Sequence, residues 1–481
     1  MIFKQFYLGS LSQASYLIGD EHTGTAVVVD PRRDVDEYLE EARRLGLRIE
    51  HVILTHFHAD FVAGHLELRE RANVTIQLGA RAQAEYDFYP LHEGDALELG
   101  SVRLEVLETP GHTPESISIV VYDLAVSRHT PHAVLTGDTL LIGDVGRPDV
   151  VASAGIAVET LAGMLYDSLH EKLLRLPDDT LLYPGHGAGF ACGKNLSTET
   201  VSTIGSERTR NAALRPMSKD EFVRIIAMDR PETPAYFRHD ADLNRQEHPT
   251  LEATLGVELK PLALSTVIFA QRAGAQILDT RDPADFAAGH LMGSTNIGLD
   301  GRFASWAGTL LSAARPIVLV TAPGRERETA MHLGRVGFEN IVGFLAGGIT
   351  AVRRHGTVVQ HPVRLTAVEL RERLAGEPAP ALIDVRAEAE WRQDGLPGSM
   401  SIPLQHLRSR AWQIPVGAVI VYCRTGEQSS TAASLLEQMG RLNVLDLAGG
   451  LMAWRAAGLS ATVAREISGP RSDSPETRSR P

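Results

Sequence analysis

Thr55-His56-Phe57-His58-Ala59-Asp60-Phe61 follows the strand-like run His51-Val52-Ile53-Leu54, and the reading of the whole chain turns on this stretch. Two histidines two residues apart, followed by an aspartate, place two imidazoles and a carboxylate in one turn, where they can converge on a cation. Alone, the stretch also fits an exposed His-rich loop. Three later segments argue against that: His112 in Pro110-Gly111-His112-Thr113, Asp138 in Thr136-Gly137-Asp138-Thr139, and His186 in Pro184-Gly185-His186-Gly187. Each follows a strand-like run and sits beside a glycine that lets the backbone turn sharply, at the kind of strand end where α/β folds expose chemistry. Histidine is concentrated in the same half, with 13 of 18 in residues 1–250. If a metal is bound, that half binds it.

The flanking pattern is α/β. Ala26–Asp30 reads as a buried strand stopped by Pro31, and Val35–Leu45 as an amphipathic helix closed by Gly46. Strands are expected at Val102–Leu107, Ser116–Tyr122 and Thr180–Tyr183, with a long helix over Val158–Leu176. At about 150 residues per domain, 481 residues imply roughly three domains. A net charge of 47 − 60 = −13 disfavours nucleic acid and anionic lipid as partners. No apolar run approaches the roughly 18 residues of a spanning helix, so no membrane role is expected. The N-terminus lacks a basic region followed by an apolar stretch, which implies a cytoplasmic protein. Cys192 and Cys423 are the two cysteines, too few for a disulfide framework or a Cys-rich zinc site.

The second half contains an internal repeat. Ile277-Leu278-Asp279-Thr280-Arg281 recurs as Leu382-Ile383-Asp384-Val385-Arg386, and Leu345-Ala346-Gly347-Gly348 as Leu447-Ala448-Gly449-Gly450. Gly293-Ser294 followed by Asn296-Ile297 corresponds to Gly398-Ser399 followed by Ser401-Ile402. Three landmarks in one order indicate two copies of one small α/β domain, over 260–356 and 362–463. Asn244–Leu255 and His355–Pro362 read as linkers, and residues 464–481, almost without apolar side chains, as a disordered tail.

The order of the four metal-type segments resembles the metallo-β-lactamase superfamily over roughly residues 1–245. Binuclear members such as the glyoxalase II thioester hydrolases carry a histidine after the motif's aspartate. Here that position is Phe61, which has no donor atom, so a second cation is disfavoured. Two histidines and one carboxylate with open positions form the facial triad of non-heme Fe(II) oxygenases. Together with Thr136–Leu141 and Gly146-Arg147-Pro148-Asp149, this is similar to the persulfide dioxygenase branch. The resemblance implies His56, His112 and Asp138 as ligands of one Fe(II) per chain. It leaves His58, Asp60 and His186 as supporting groups or as ligands in a zinc alternative.

In the last copy, Ile420-Val421-Tyr422 ends at Cys423, followed by Arg424-Thr425-Gly426-Glu427-Gln428-Ser429-Ser430 and a helical pattern from Thr431 to Met439. A cysteine on a turn at a helix N-terminus is expected to have a lowered pKa, and its thiolate would attack sulfane sulfur. The loop Arg424–Ser429, with the Asp384–Arg386 and Gly449-Gly450 landmarks, looks like the rhodanese (sulfurtransferase) fold. The earlier copy has Thr321-Ala322-Pro323-Gly324 there, with Ala322 read at the nucleophile position, and cannot form a persulfide. Cys192 follows His186 in a glycine-rich loop with Lys194, where similar fusions imply a sulfur relay and an inert packed thiol is the competing reading. Arg147 and Asp149 orient substrate or pair with each other, and His65 is expected on a helix surface.

The expected architecture is therefore α/β multidomain. A metallo-β-lactamase αββα sandwich over 1–250 precedes two rhodanese-like α/β domains with parallel sheets, the first lacking its cysteine. The expected function is oxidation of a low-molecular-weight thiol persulfide by O2 to sulfite, with Cys423 passing sulfur to sulfite as thiosulfate, in a homo-oligomer. The rivals are a binuclear zinc thioester hydrolase and a non-catalytic persulfide carrier or sensor.

Overall fold

The computed structural model describes residues 1–148, 155–187, 197–228, 233–256, 259–353, 359–376, 379–441 and 443–459. Asp149, Cys192, Lys194, part of the expected 355–362 linker and the tail 464–481 lie outside the described residues. Among the described residues no helix is long and apolar enough to cross a membrane.

Alternation of apolar residues builds the first region. β1 (Ile2–Leu8), β2 (Gln13–Asp20), β3 (Thr25–Val29), β4 (Arg48–Leu54), β5 (Thr75–Gly79) and β6 (Tyr89–Leu91) form one mixed sheet in sequence order. β7 (Ala96–Leu99), β8 (Val102–Glu108), β9 (Ile117–Asp123), β10 (Ala133–Gly137), β13 (Leu181–Pro184) and β14 (Ser202–Thr203) form a second, ordered β14-β13-β10-β9-β8-β7. The hairpin of β11 (Leu140–Leu141) and β12 (Asp144–Val145) stands apart from it. Every second residue faces the partner sheet: Ala14, Tyr16 and Ile18 from β2 pack with Val102, Leu104 and Val106 from β8 and with Ile117, Ile119 and Val121 from β9. Residues on the other face of the second sheet, Val120, Val134 and Leu182, pack against Leu165, Leu169 and Leu173.

Those three leucines lie on the expected long helix. It is continuous from Val158 but widens after Asp167 into a π turn, Ser168–Lys172, and tightens over Leu173–Arg175. Gly111 abuts this helix at φ +148°, where a Cβ would come 2.4 Å from Leu165 Cα. Only glycine fits, and the turn that carries His112 is held against the helix as a result.

Both repeats form all-parallel sheets with one strand order. The first runs Pro261–Leu262, Ile341–Leu345, Ile317–Val320, Gln276–Asp279. The second runs Val363–Leu365, Val444–Leu447, Val419–Tyr422, Ala381–Asp384, Met400–Ser401. Their inner strands, Ile317–Val320 and Val419–Tyr422, are buried at every residue, as strands covered on both faces must be. Contacts group Met1–Thr280 and Gly298–Ala351 into one unit, and Arg281–Ile297 with the chain from Val352 into another.

Two sequence expectations change here. Asn244–Leu255 is not a free linker, because Asn244, Thr250 and Leu251 are buried and Leu251–Leu255 is helical. His65 is not on a helix surface but fully buried, its ring 4.8 Å from that of Tyr86.

Candidate metal centre and cysteine site

Each metal-type segment lies at the C-terminal end of a strand: Thr55-His56 after β4, Thr109–His112 after β8, Asp138 after β10 and His186 after β13. Gly137, at φ +49°, makes the turn into Asp138, and a Cβ there would meet Thr55 Oγ1 at 2.5 Å. The result is a buried cluster in which His56, His112 and Asp138 each offer one ligand atom, all within 4.8 Å of one another.

Hydrogen bonds decide which atoms are left to face inward. His112 Nδ1 is paired with the Arg147 carbonyl at 2.8 Å, and His56 Nδ1 with Thr55 Oγ1 at 2.9 Å. Thr55 is itself held by Asp30, through its hydroxyl at 2.8 Å and its N–H at 2.7 Å. Both imidazoles therefore present Nε2, 3.9 Å (His56) and 3.7 Å (His112) from Asp138 Oδ2. That oxygen is buried with no hydrogen-bond partner, while Oδ1 pairs with His186 Nδ1 at 2.8 Å. An orphaned acceptor facing two imine nitrogens is costly unless a cation fills the space, since ligands about 2.1 Å from one ion lie roughly 3 Å apart. The three residues fit a metal. Burial lowers the pKa of both His56 and His112 and keeps them neutral, the form that ligates. Burial opposes ionisation of Asp138, but His186, His56 and His112 outweigh it and hold the carboxyl well below its usual range.

The remaining motif residues lie against other carboxylates. His58 Nε2 lies 3.1 Å from Asp30 Oδ1. His186 bridges two carboxylates, Nδ1 to Asp138 at 2.8 Å and Nε2 to Asp60 at 3.0 Å. Burial opposes its protonation, yet Asp138 and Asp60 lift its pKa to about 10. The Phe61 ring is fully buried, 4.3 Å from the His58 ring and 6.3 Å from that of His186.

Sequence reasoning missed two residues. Asp30, a strand end in the sequence pattern, adopts φ +51°, accepts two hydrogen bonds from Thr55 and lies beside the His58 ring. Asn244, in the expected linker, donates through Nδ2 to the carbonyls of His58 (2.7 Å) and Phe61 (2.8 Å), and its Oδ1 accepts from Ala63 N–H (2.8 Å). An Asp-Pro pair at a strand end was the available signal for Asp30; Asn244 had none. The first repeat also reaches this turn: the Arg335 carbonyl accepts from Val62 N–H at 2.8 Å, and the Arg335 guanidinium grips Asp34.

In the second repeat, Cys423 ends the strand Val419–Tyr422 and is buried. Gly426 N–H donates to its sulfur at 3.1 Å, and the thiol donates to Ser429 Oγ at 3.5 Å. The helix begins at Glu427 rather than Thr431, so Glu427, Gln428 and Ser429 form its first turn while Arg424, Thr425 and Gly426 form the loop. Arg424 is exposed and pairs with Glu390 at 2.8 Å. The expected acidic thiol is not found. Burial pushes the Cys423 thiol up, against the opposing hydrogen bonds from Ser429 and Gly426, because desolvation penalises the thiolate.

Strand register corrects the first repeat as well. Asp279 pairs with Val320 as Asp384 pairs with Tyr422, and Gly324 (φ +85°) matches Gly426 (φ +92°). Thr321, not Ala322, therefore stands where Cys423 does; the hydroxyl still cannot carry sulfane sulfur.

Known proteins agree with this architecture. The metallo-beta-lactamase superfamily matches residues 8–186, and the rhodanese-like domain matches 268–355 and again 366–457. Persulfide dioxygenase ETHE1 of Homo sapiens is 34% identical over 228 residues, 47% of this chain and 80% of that protein. Its Bos taurus counterpart is 31% identical over 227 residues with the same shares. A crystal structure described as a metallo-beta-lactamase from Staphylococcus aureus is 31% identical, covers 72% of this chain and 98% of that one, and superposes with a TM-score of 0.64. This chain belongs to the persulfide dioxygenase family of the metallo-beta-lactamase superfamily, and carries two rhodanese-like domains in the same polypeptide.

Proposed function

We propose that the chain is a mononuclear non-heme iron dioxygenase that oxidises a low-molecular-weight thiol persulfide to sulfite, and that Cys423 is a sulfurtransferase nucleophile that converts sulfite to thiosulfate. The observation that carries the first half is the orphaned Asp138 Oδ2 facing the two Nε2 atoms of His56 and His112, with the Phe61 ring at the neighbouring position. Iron held there would supply open coordination positions and redox chemistry for O2 and the persulfide sulfur. The chain's own residues hold that triad. Thr55 and the Arg147 carbonyl set the two imidazole tautomers, and His186, anchored on Asp60, orients Asp138. The net reaction is RSSH + O2 + H2O → RSH + sulfite + 2 H+. At the second site the Cys423 thiolate takes the outer sulfur of another persulfide, releasing RSH, and the bound sulfur leaves on sulfite.

Oxygen uptake by iron-loaded enzyme with glutathione, coenzyme A and other small-thiol persulfides tests this. Uptake should require iron and vanish in His56→Ala. Cys423→Ser should keep uptake but release sulfite in place of thiosulfate. Two zinc ions per chain without iron, or thiosulfate output that survives Cys423→Ser, would overturn the corresponding half.

A further inference from the structure

The helix Glu427–Gln438, whose first turn meets the Cys423 sulfur, presents an unusual polar stripe: Ser430, Ser434, Glu437 and Gln438. Spacings of four, seven and eight residues put all four on one face. Each is engaged by residues 290–296 of the repeat that lacks a cysteine, a segment grouped by contact with the active repeat. Ser430 Oγ donates to Asn296 Oδ1 at 2.7 Å, and Asn296 N–H donates to Ser434 Oγ at 3.1 Å. Gln438 Nε2 donates to Thr295 Oγ1 at 2.7 Å and to the Gly293 carbonyl at 3.0 Å. His290 Nε2 lies 3.3 Å from Glu437 Oε2, its ring stacked on Phe286 at 3.7 Å. Asn296 is fully buried, and its Nδ2 is fixed on the Arg281 carbonyl at 2.9 Å, so its Oδ1 is aimed by the fold.

We infer that Asn296 is a positioning residue for Cys423: by accepting the Ser430 hydroxyl it fixes the first helical turn, and with it the reach from Ser429 to the cysteine sulfur. Ser429 and Ser430 are adjacent, so a turn that slips at Ser430 moves the Ser429 hydroxyl off the sulfur 3.5 Å away. Geometry matters at this site because the thiol is buried and depends on a few donors to ionise. Residues 290–296 are on this account a working part of the sulfurtransferase site. The inference rests on the reading of Cys423 proposed above.

The test uses the full chain with inorganic thiosulfate as donor and cyanide as acceptor. The Cys423 thiolate attacks the outer sulfur and releases sulfite, and cyanide then removes that sulfur as thiocyanate and regenerates the thiolate. Asn296→Ala should lower kcat about tenfold, the scale of one buried hydrogen bond, with KM changed less than about twofold. The pH midpoint for alkylation at Cys423, read by peptide mass mapping with iodoacetamide, should move upward. Ser430→Ala should reproduce both effects, Ser430→Thr should restore them, and the double alanine variant should be no worse than either single, because one link is broken twice. Unchanged kcat and alkylation profile in both single variants, or additive losses in the double, would overturn the inference. If Asn296→Ala does not fold, the Ser430 pair, on the catalytic helix itself, decides. Transfer that persists in Cys423→Ser removes the underlying reading instead, and is distinguishable because it needs no Asn296 variant.

Discussion

The metal turn and the cysteine turn both sit at the end of a buried strand, and they leave their reactive atoms in opposite conditions. At the first, Asp138 Oδ2 faces two imidazole nitrogens with no hydrogen bond of its own. At the second, the Cys423 sulfur both accepts from Gly426 and donates to Ser429. One site is incomplete until a cation enters; the other is complete as a neutral thiol and must be opened by losing a proton. Supporting residues therefore act differently: around the metal they set where lone pairs point, and around the cysteine they set how easily charge appears.

The largest effect tests the first condition. Asp138→Ala removes the orphaned acceptor and the partner of His186, and should cost metal affinity at least about 100-fold, read as metal content after dialysis against a chelator. Full retention would mean that the ion does not use Oδ2. Asn244→Ala comes next. It leaves all three ligand side chains in place but frees the His58–Ala63 backbone, and metal affinity should fall about 10-fold to 100-fold in a chain that still folds. Ser429→Ala probes the second condition and should slow alkylation of Cys423 at neutral pH about tenfold, the low end for one hydrogen bond to a charged group. No change would mean that the backbone N–H groups of Gly426 and Ser429 suffice to stabilise the thiolate.

The smallest effect is a contrast in pH. Protons compete with metal for His56 and His112, and burial lowers both pKa values, so metal should stay bound as pH falls through about 6.5 and leave only well below it. Burial raises the Cys423 pKa, so its alkylation rate should still be climbing above the pH at which a free thiol levels off. Two profiles shifted in the same direction would break the comparison.

The residues of the candidate site were legible because histidine, aspartate and cysteine at glycine-flanked strand ends are chemically conspicuous, and the strands that carry them alternate or run apolar in recognisable periods. His56, His112 and Asp138 meet as the motif order implied, and the repeat offsets anticipated two sheets of one topology. What escaped is set by tertiary contact. Asn244 is an ordinary polar residue near a proline until three backbone groups converge on it. His65 sits in a polar helix but faces inward onto Tyr86. The direction of the Cys423 shift depends on burial, which no local pattern encodes, and the place of Thr321 needed strand register rather than loop likeness.

Arg33 draws out one consequence of the first repeat's packing. Its guanidinium is wholly enclosed, held by Glu67 at 2.7 Å and by Glu339 at 2.5 Å, with the Gly334 carbonyl at 3.3 Å. Glu339 and Gly334 belong to the repeat without a nucleophile, as does the carbonyl that receives Val62 N–H. A chain trimmed to its first 250 residues would lose Glu339 and the Gly334 carbonyl, leaving Arg33 with Glu67 and newly admitted water. The bulk of a repeat with threonine at the cysteine's place thus completes the polar surroundings of Arg33 and Val62, and removing it would require new partners for both at once.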